Sequence, residues 1–487
     1  MPTRVLAAAA AASVLLLPPP ARAHGVVPVL VQVTHDTTGD VGGPKIRSQA
    51  GDSIVFTSDG DVMGPGSAPG HREVYLYDAV SGAISRLTTT TDGESYGASR
   101  ETDEVQSSRP AVVAFVSTGD LDPSVGNGDH NPEVFLRVVA TGQVMQVTDT
   151  AAPVVNAEPY TSDSGKCIVF RSSGDLDDND GSDVDNPGNG FRNPDGSDEI
   201  FNLSFGDSDF SRTAWVTTQV SNGPAGTVSS HPVVGGYIFG RQCRSTAWQS
   251  THDQLGNGST GVHVYAWTRN TSVTEQLSKP GAGINRNPAM SSASNFARGP
   301  FVFYESDMDP IGNGSTVFEM FRFRLFKNEL WQYTYATADS GSGGISDGGG
   351  RTVFQSKAEL FDPRARTPAG ETPPFNADGN SEIFLTWKKR QVIQVTRTEG
   401  CESTDATIRD QGDAIAFRST CDLIPGLNPG GVSQVFWYRL VDGNDPLATS
   451  ACVAAEGCCN EANGCLDFLF GRKTSPPRDG IRPNHSN

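Results

Sequence analysis

The chain has 487 residues, with 54 Gly and 31 Pro against 36% hydrophobic residues, a composition of many short elements joined by turns that excludes a long helical bundle. Its 37 basic and 56 acidic residues leave a net charge of −19, a field that repels nucleic-acid phosphates and anionic membrane surfaces. No nucleic acid is expected as a partner, and a charged partner should be cationic.

At the N-terminus Arg4 precedes an apolar run from Leu6 to Leu17, followed by three prolines and Ala21-Arg22-Ala23. Small residues at those last positions mark a signal-peptidase site, so residues 1–23 are read as a signal peptide and His24 as the first mature residue. The run is too short to anchor a chain in a bilayer, and no later stretch approaches the 18 or so apolar residues needed. A secreted or periplasmic monomer without membrane insertion is the expectation. Eight cysteines, an even number, fit an oxidising compartment and disulfides rather than a zinc site, because Cys452, Cys458, Cys459 and Cys465 lack paired Cys-x-x-Cys knuckles.

From Gln32 onward three landmarks recur in fixed order. The first is an apolar strand ending in an aromatic: Val55-Phe56, Ala114-Phe115, Val169-Phe170, Ile238-Phe239, Val302-Phe303, Val353-Phe354 and Ala416-Phe417. The second is an aromatic in a short strand, usually after an acid: Glu73-Val74-Tyr75, Glu133-Val134-Phe135, Glu199-Ile200-Phe201, His263-Val264-Tyr265, Glu319-Met320-Phe321, Glu382-Ile383-Phe384 and Gln434-Val435-Phe436. The third is a polar, apolar, hydroxyl triplet, first met at Gln32-Val33-Thr34 and last at Gln394-Val395-Thr396. The triplet that opens the chain lacks partners and the final pair of landmarks lacks a triplet, so the N-terminal strand should complete the last unit. The predicted fold is all-β: a seven-bladed β-propeller of four-stranded blades over residues 24–441, closed by that N-terminal strand, with a short Cys-rich C-terminal extension over 442–487 whose end is disordered. The extension should lie against the propeller, stapled by disulfides.

Segments such as Ser162-Asp163-Ser164-Gly165-Lys166 before Cys167-Ile168-Val169-Phe170, followed by Asp198-Glu199-Ile200-Phe201, resemble the repeat of the TolB-like, WD40-like propellers of exported bacterial proteins. The resemblance covers about residues 27 to 441 and implies a fold more than a task. TolB itself has six blades and a separate N-terminal domain that engages envelope partners, so its partner role is not carried over.

With the four strands of a unit named a to d, the aromatics of strands b and c lie 18 to 31 residues apart, whereas the c-to-d spacing is 11 or 12 except for 19 in the third unit. Length variation is therefore concentrated on the face that carries the b–c and d–a connections, where binding is expected. Asn127-Gly128, Asp195-Gly196, Asn257-Gly258, Asn313-Gly314 and Asp378-Gly379 are read as turns with glycine at positive φ. In the third b–c loop nine acids stand against Arg192, and Asp175, Asp177, Asp180 and Asp183 are the candidate ligands of a calcium ion, although Asp180 occupies the place of the usual turn glycine. His71, His130 and His252 share the same face, and with Trp248 they are the candidate binding residues. Gly344-Ile345-Ser346-Asp347-Gly348 matches a nucleophile elbow but lacks its strand-turn-helix context and is read as an a–b turn. Two disulfides are expected, Cys401 with Cys421 within one unit and Cys167 with Cys243 between neighbouring units. The functional reading is a binding or scaffolding module for a protein or polysaccharide ligand. Its competitor is a secreted metal-dependent polysaccharide lyase or hydrolase, a class that some propellers resembling this family represent.

Overall fold

The computed structural model describes residues 26–442 apart from 47–52, 103–109, 177–191, 206–209, 211, 213–214, 236–242, 270, 293–299, 361–375 and 388–390, together with 458–459. These residues form strands throughout. After β1 (Val26–Gln32), the first sheet is β2 (Val41–Ile46), β3 (Ser53–Ser58), β4 (Glu73–Asp78) and β5 (Ala83–Arg86); the second is β6 (Ser95–Tyr96), β7 (Val112–Ser117), β8 (Glu133–Val138) and β9 (Val144–Gln146). The third is β10 (Asn156–Thr161), β11 (Cys167–Ser172), β12 (Glu199–Ser204) and β13 (Val216–Gln219). Next come β14 (Ser229–Gly235), β15 (Ser245–Ser250), β16 (Thr260–Thr268) and β17 (Val273–Gln276), then β18 (Ala282–Met290), β19 (Phe301–Ser306), β20 (Glu319–Arg324) and β21 (Glu329–Gln332). These two antiparallel sets are stitched by a parallel pairing of β16 with β18, where a Cβ at Gly261 (φ +99°) would run into the Gly283 carbonyl. The sheet of β22 (Ser340–Ile345), β23 (Thr352–Ser356), β24 (Glu382–Trp387) and β25 (Gln391–Gln394) follows. The last contains β26 (Ala-bearing Ser403–Ile408), β27 (Ala414–Ser419) and β28 (Gln434–Asp442).

That last sheet is completed by the N-terminus, as the order of the landmarks requires. Strand β1 lies antiparallel to β28 from Val26 opposite Asp442 to Gln32 opposite Phe436, and Val33 N–H continues the ladder to Val435 O at 2.8 Å. The C-terminal extension adds β29 (Cys458–Cys459) to the outer edge of β1; its remainder lies outside the described residues. Both predicted disulfides are present, Cys167–Cys243 and Cys401–Cys421.

The landmarks have a common physical cause. The b and c aromatics face each other across the ladder and stack, Phe56 on Tyr75 at 5.6 Å and Phe115 on Phe135 at 5.7 Å, all four rings buried. The triplet ends the c–d ladder: Leu87 N–H donates to Val74 O, the Thr88 hydroxyl accepts from Val74 N–H, and that hydroxyl then donates to the Glu73 carboxylate. A hydroxyl residue is needed because one atom must both accept and donate. The acid before each c-strand aromatic is therefore structural. Glu133 is fully buried and accepts from the Thr148 hydroxyl, Thr150 N–H and hydroxyl, and the side-chain amides of Asn131 and Asn156.

Replacing Glu133 by Ala should cost about 3 kcal/mol in urea unfolding, since these donors lose their acceptor in a dry site; a loss under about 1 kcal/mol would show that water takes its place. Burial raises the pKa of Glu133, Glu199, Glu305, Glu319 and Glu382 despite these hydrogen bonds. A carboxyl that holds its proton more tightly when folded contributes stability below its unfolded value of 4.5, and this is lost as pH rises through the folded value. Asp122, Asp195, Asp253 and Asp309 are shifted down by loop hydrogen bonds, so their contribution is lost only as pH falls from 3.8. The melting temperature should therefore peak in mild acid and be lower at pH 8 than at pH 5; a maximum above pH 7 would refute this.

Two assignments in the repeat need correction. In the fourth unit the b-strand aromatic is Trp248 in β15, not Phe239, which lies outside the described residues. In the fifth unit it is Tyr304, one place after Phe303, because Tyr304 stands opposite Phe321 and stacks on it at 6.0 Å while Phe303 turns to the other side of the sheet.

Candidate functional site

The first strands β10, β14, β18, β22, β26 and β2 touch one another in that succession, so the first strands are the innermost ones and line the axis. Each carries or is directly followed by a residue with positive φ: Gly43, Glu158, His231, Ser342 and Asp405 at the third position of β2, β10, β14, β22 and β26, Asn287 at the sixth of β18, and Gly97 just after β6. Register shifts accompany six of them. The bulge frees a backbone N–H, which the preceding sheet satisfies: His231 N–H donates to Glu158 Oε2 at 2.7 Å, Asn287 N–H to Gln249 Oε1 at 2.7 Å and Asp405 N–H to Gln355 Oε1 at 3.2 Å. A polar ring thus surrounds the channel.

On the face of the b–c and d–a connections a cavity of about 450 Å³ opens beside this ring. Its walls include Asp40 and Glu402 from d–a connections, Lys357 at the foot of a b–c loop, and Gln355, Thr404 and Arg418 from strands. Arg418 is spent on the walls, with Nε 3.0 Å from Asp405 and Nη1 3.6 Å from Asp40. Glu402 Oε2 accepts from Ser381 N–H at 2.6 Å. The cavity is walled by residues of both charge signs and by hydroxyls, with the carbon stems of these side chains forming most of its surface, so it can meet polar and apolar groups of one ligand.

The sequence-derived candidates fare unevenly. Trp248 is not a surface platform: it is fully buried in β15 and stacked on Tyr265 at 6.1 Å, because it takes the core position that Phe holds in other units. His71 Nε2 lies 2.9 Å from Glu73 Oε1, and His130 Nδ1 lies 3.1 Å from Thr118 O, with Asp92 at 4.0 Å. His252 N–H donates to Ser250 Oγ. Each histidine bonds within its loop or to the strand beside it, His130 also approaching Asp92 of the neighbouring d–a connection, and among the described contacts no two of them meet. Asp175 Oδ1 accepts from Asn193 N–H at 3.1 Å, while Asp177, Asp180 and Asp183 lie outside the described residues. Ser346 is buried in an a–b turn, its Oγ accepting from Arg351 N–H at 3.1 Å, so the nucleophile motif is a turn. Gly196, Gly258, Gly314 and Gly379 do take positive φ, whereas Gly128 does not and Gly126 takes it instead.

Asp347, in that same turn, belongs to a cluster the sequence did not reveal. Its carboxylate and those of Asp163 and Asp410 offer oxygens within 4.8 Å of one another. Arg100 pairs with Asp163 and, at 3.3 Å, with Asp410, and its guanidinium lies 5.5 Å from the centre of the Tyr160 ring. Asp347 N–H donates to Asp410 O at 2.9 Å, and burial raises the pKa of the Asp347 carboxyl against the pull of Arg100. With a guanidinium already bound to two of its three carboxylates, the cluster acts as an ion-pair lock between a–b turns. Three residues each preceded or followed by turn glycines in separate units gave no sign of convergence.

No protein-family model matches the chain, and no curated protein matches it in sequence. Among solved structures it is similar to an oligogalacturonate lyase in complex with manganese, at 10% identity and a TM-score of 0.45, covering 82% of this chain and 98% of that one. It is also similar to the β-propeller domain of the Trilobed protease from Pyrococcus furiosus, at 8% identity and a TM-score of 0.45 over 84% and 100% of the two chains. TolB from Acinetobacter baumannii is similar at 11% identity and a TM-score of 0.35 over 82% and 79%. The fold itself rests on the strand pairing: four-stranded antiparallel sheets, with the N-terminal strand completing the sheet that the C-terminal strands begin.

Proposed function

We propose that the chain is an exported, seven-bladed propeller that serves as a binding or scaffolding module, holding a protein or polysaccharide ligand on the face of its b–c and d–a connections. The observation that carries this reading is the cavity between Asp40, Lys357, Glu402 and Arg418, which opens on the face of the b–c and d–a connections. Two disulfides suit an oxidising compartment. Calcium at Asp175, Asp177, Asp180 and Asp183 belongs to the same proposal, as a brace for one of these loops.

Immobilised protein would be probed with neutral glycans, acidic glycans and envelope proteins, with calcium, with manganese and with chelator. Binding that falls at least about tenfold in Lys357→Glu and Glu402→Lys, and is unmoved by Val80→Glu in a c–d turn, is the expected result. Ligands indifferent to both cavity substitutions and displaced by Val80→Glu would place the binding face on the other side. Metal-dependent turnover abolished by His71→Ala or His130→Ala would replace the module reading with that of a lyase or hydrolase.

A further inference from the structure

The charges of the molecule are divided between its two faces. Among the described residues the b–c and d–a connections hold 22 acids and five bases, whereas the a–b and c–d turns hold five acids and eight bases. On the second face the acids are largely spent on arginines of that face, Asp163 and Asp410 on Arg100 and Asp413 on Arg409. On the first face five bases cannot balance 22 acids, and Glu94, Asp120, Asp149 and Glu399 stand exposed. Net charge keeps a protein soluble wherever it is placed. Gathered on one face it also sets up self-repulsion and a directed field, and an approaching polycation relieves the first while following the second.

The same connections expose Met63, Val155, Val228, Leu255, Ile311 and Tyr335, each between 37% and 67% accessible. Val228 and Leu255 belong to the fourth unit, Ile311 to the fifth, and Tyr335 to the connection that leaves the fifth, so these four stand on adjacent units. Asp253, Asp309 and Asp339 lie in the same connections as Leu255, Ile311 and Tyr335. A single exposed apolar residue is ordinary, but apolar side chains set together among charged ones have the composition of a protein-docking surface. The cavity between Asp40, Lys357, Glu402 and Arg418 opens on this face too and gives a recess for an entering side chain.

We infer that the face of the b–c and d–a connections docks a basic protein, whose lysines and arginines meet the acidic connections and whose apolar side chains meet Leu255, Ile311 and Tyr335. The inference rests on the module reading above and narrows its ligand. A cationic glycan matches the charge but has no apolar side chains to set against those three residues, so a protein is the better complement.

Binding to the full-length protein would be measured for three polycations matched in charge: a lysine–tyrosine copolymer, poly-L-lysine and a chitosan oligomer. At low salt the copolymer should bind at least about tenfold more tightly than either of the others, and its binding should weaken as salt screens the face. Glu94→Gln, Asp120→Asn and Asp149→Asn together should weaken copolymer binding at least about tenfold. Val80→Lys, Ala140→Lys and Val273→Lys together change the net charge by the same amount at c–d turns, and should leave binding within about twofold. Leu255→Ser with Tyr335→Ser should bring the copolymer down to the affinity of poly-L-lysine. Equal losses from the two triple variants would show that the charge of the whole molecule, not of one face, attracts the cation, and chitosan bound as tightly as the copolymer would make the ligand a glycan. Either result overturns the inference, while the module reading is tested apart from it by Lys357→Glu and Glu402→Lys against the other ligands.

Discussion

Deletion of residues 24–35 should abolish cooperative unfolding, whereas trimming residues 476–487 should leave the melting curve unchanged. Strand β1 and the residue that follows it bring Val29, Leu30 and Val33 into the interior, each at most 4% exposed. Leu30 packs in a cluster with Phe417, Phe436, Val353 and Ile383, and Val33 in another with Phe56, Tyr75 and Trp437, so one strand joins the last sheet to its neighbours on either side. Truncating one such residue to Ala costs about 2–5 kcal/mol, while a whole domain is stable by only about 5–15 kcal/mol. The deletion removes three of them and the ladder to β28, and it leaves β28 with an open edge. Circular dichroism melts of the two truncations decide the matter. Equal melting temperatures would mean that the ring does not depend on β1 for closure.

The second large effect is expected from the disulfides. Cys167–Cys243 closes a loop of 76 residues and links the third sheet to the approach to β15; Cys401–Cys421 closes 20 residues within the last sheet. Constraint of the unfolded chain is worth about 4.5 kcal/mol for the longer loop and about 3 kcal/mol for the shorter. Paired Cys→Ser variants should lose stability in that order, and reduction of both should bring the wild-type protein close to its unfolding threshold. If the variant lacking Cys401–Cys421 were the less stable, native packing around the bond rather than loop length would dominate.

Much of this architecture is legible in the sequence because the repeat is chemical as well as periodic. The acid before the c-strand aromatic and the hydroxyl of the triplet bond to each other, so they recur together even where the acid is replaced by His263 or Gln434. The failures have equally local causes. Ile238-Phe239 imitates the b-strand landmark, while the true strand hides its aromatic as Trp248, which then passed for a surface residue. The prolines of the innermost strands, Pro44, Pro159, Pro232 and Pro288, directly follow the positive-φ residue and mark the bulges; read as strand breakers with a position, they would have placed the channel lining. No local signal could pair Arg100 with Asp410, since only closure of the ring brings together residues 310 positions apart.

The antiparallel register of β1 on β28 also determines how the molecule answers to force. The first residue of β1 lies opposite the last of β28, so handles attached before β1 and directly after Asp442 would leave the sheet side by side. Tension applied through such handles peels the pair apart one rung at a time instead of shearing all rungs together, so the ring would open at a low pulling force. Once β1 and β28 have gone, the next segment in the load path is bounded by Cys401–Cys421, and the residues between these cysteines cannot lengthen until that bond is reduced. A stretching trace should therefore show an early, weak opening whose contour gain is shorter under oxidising than under reducing conditions.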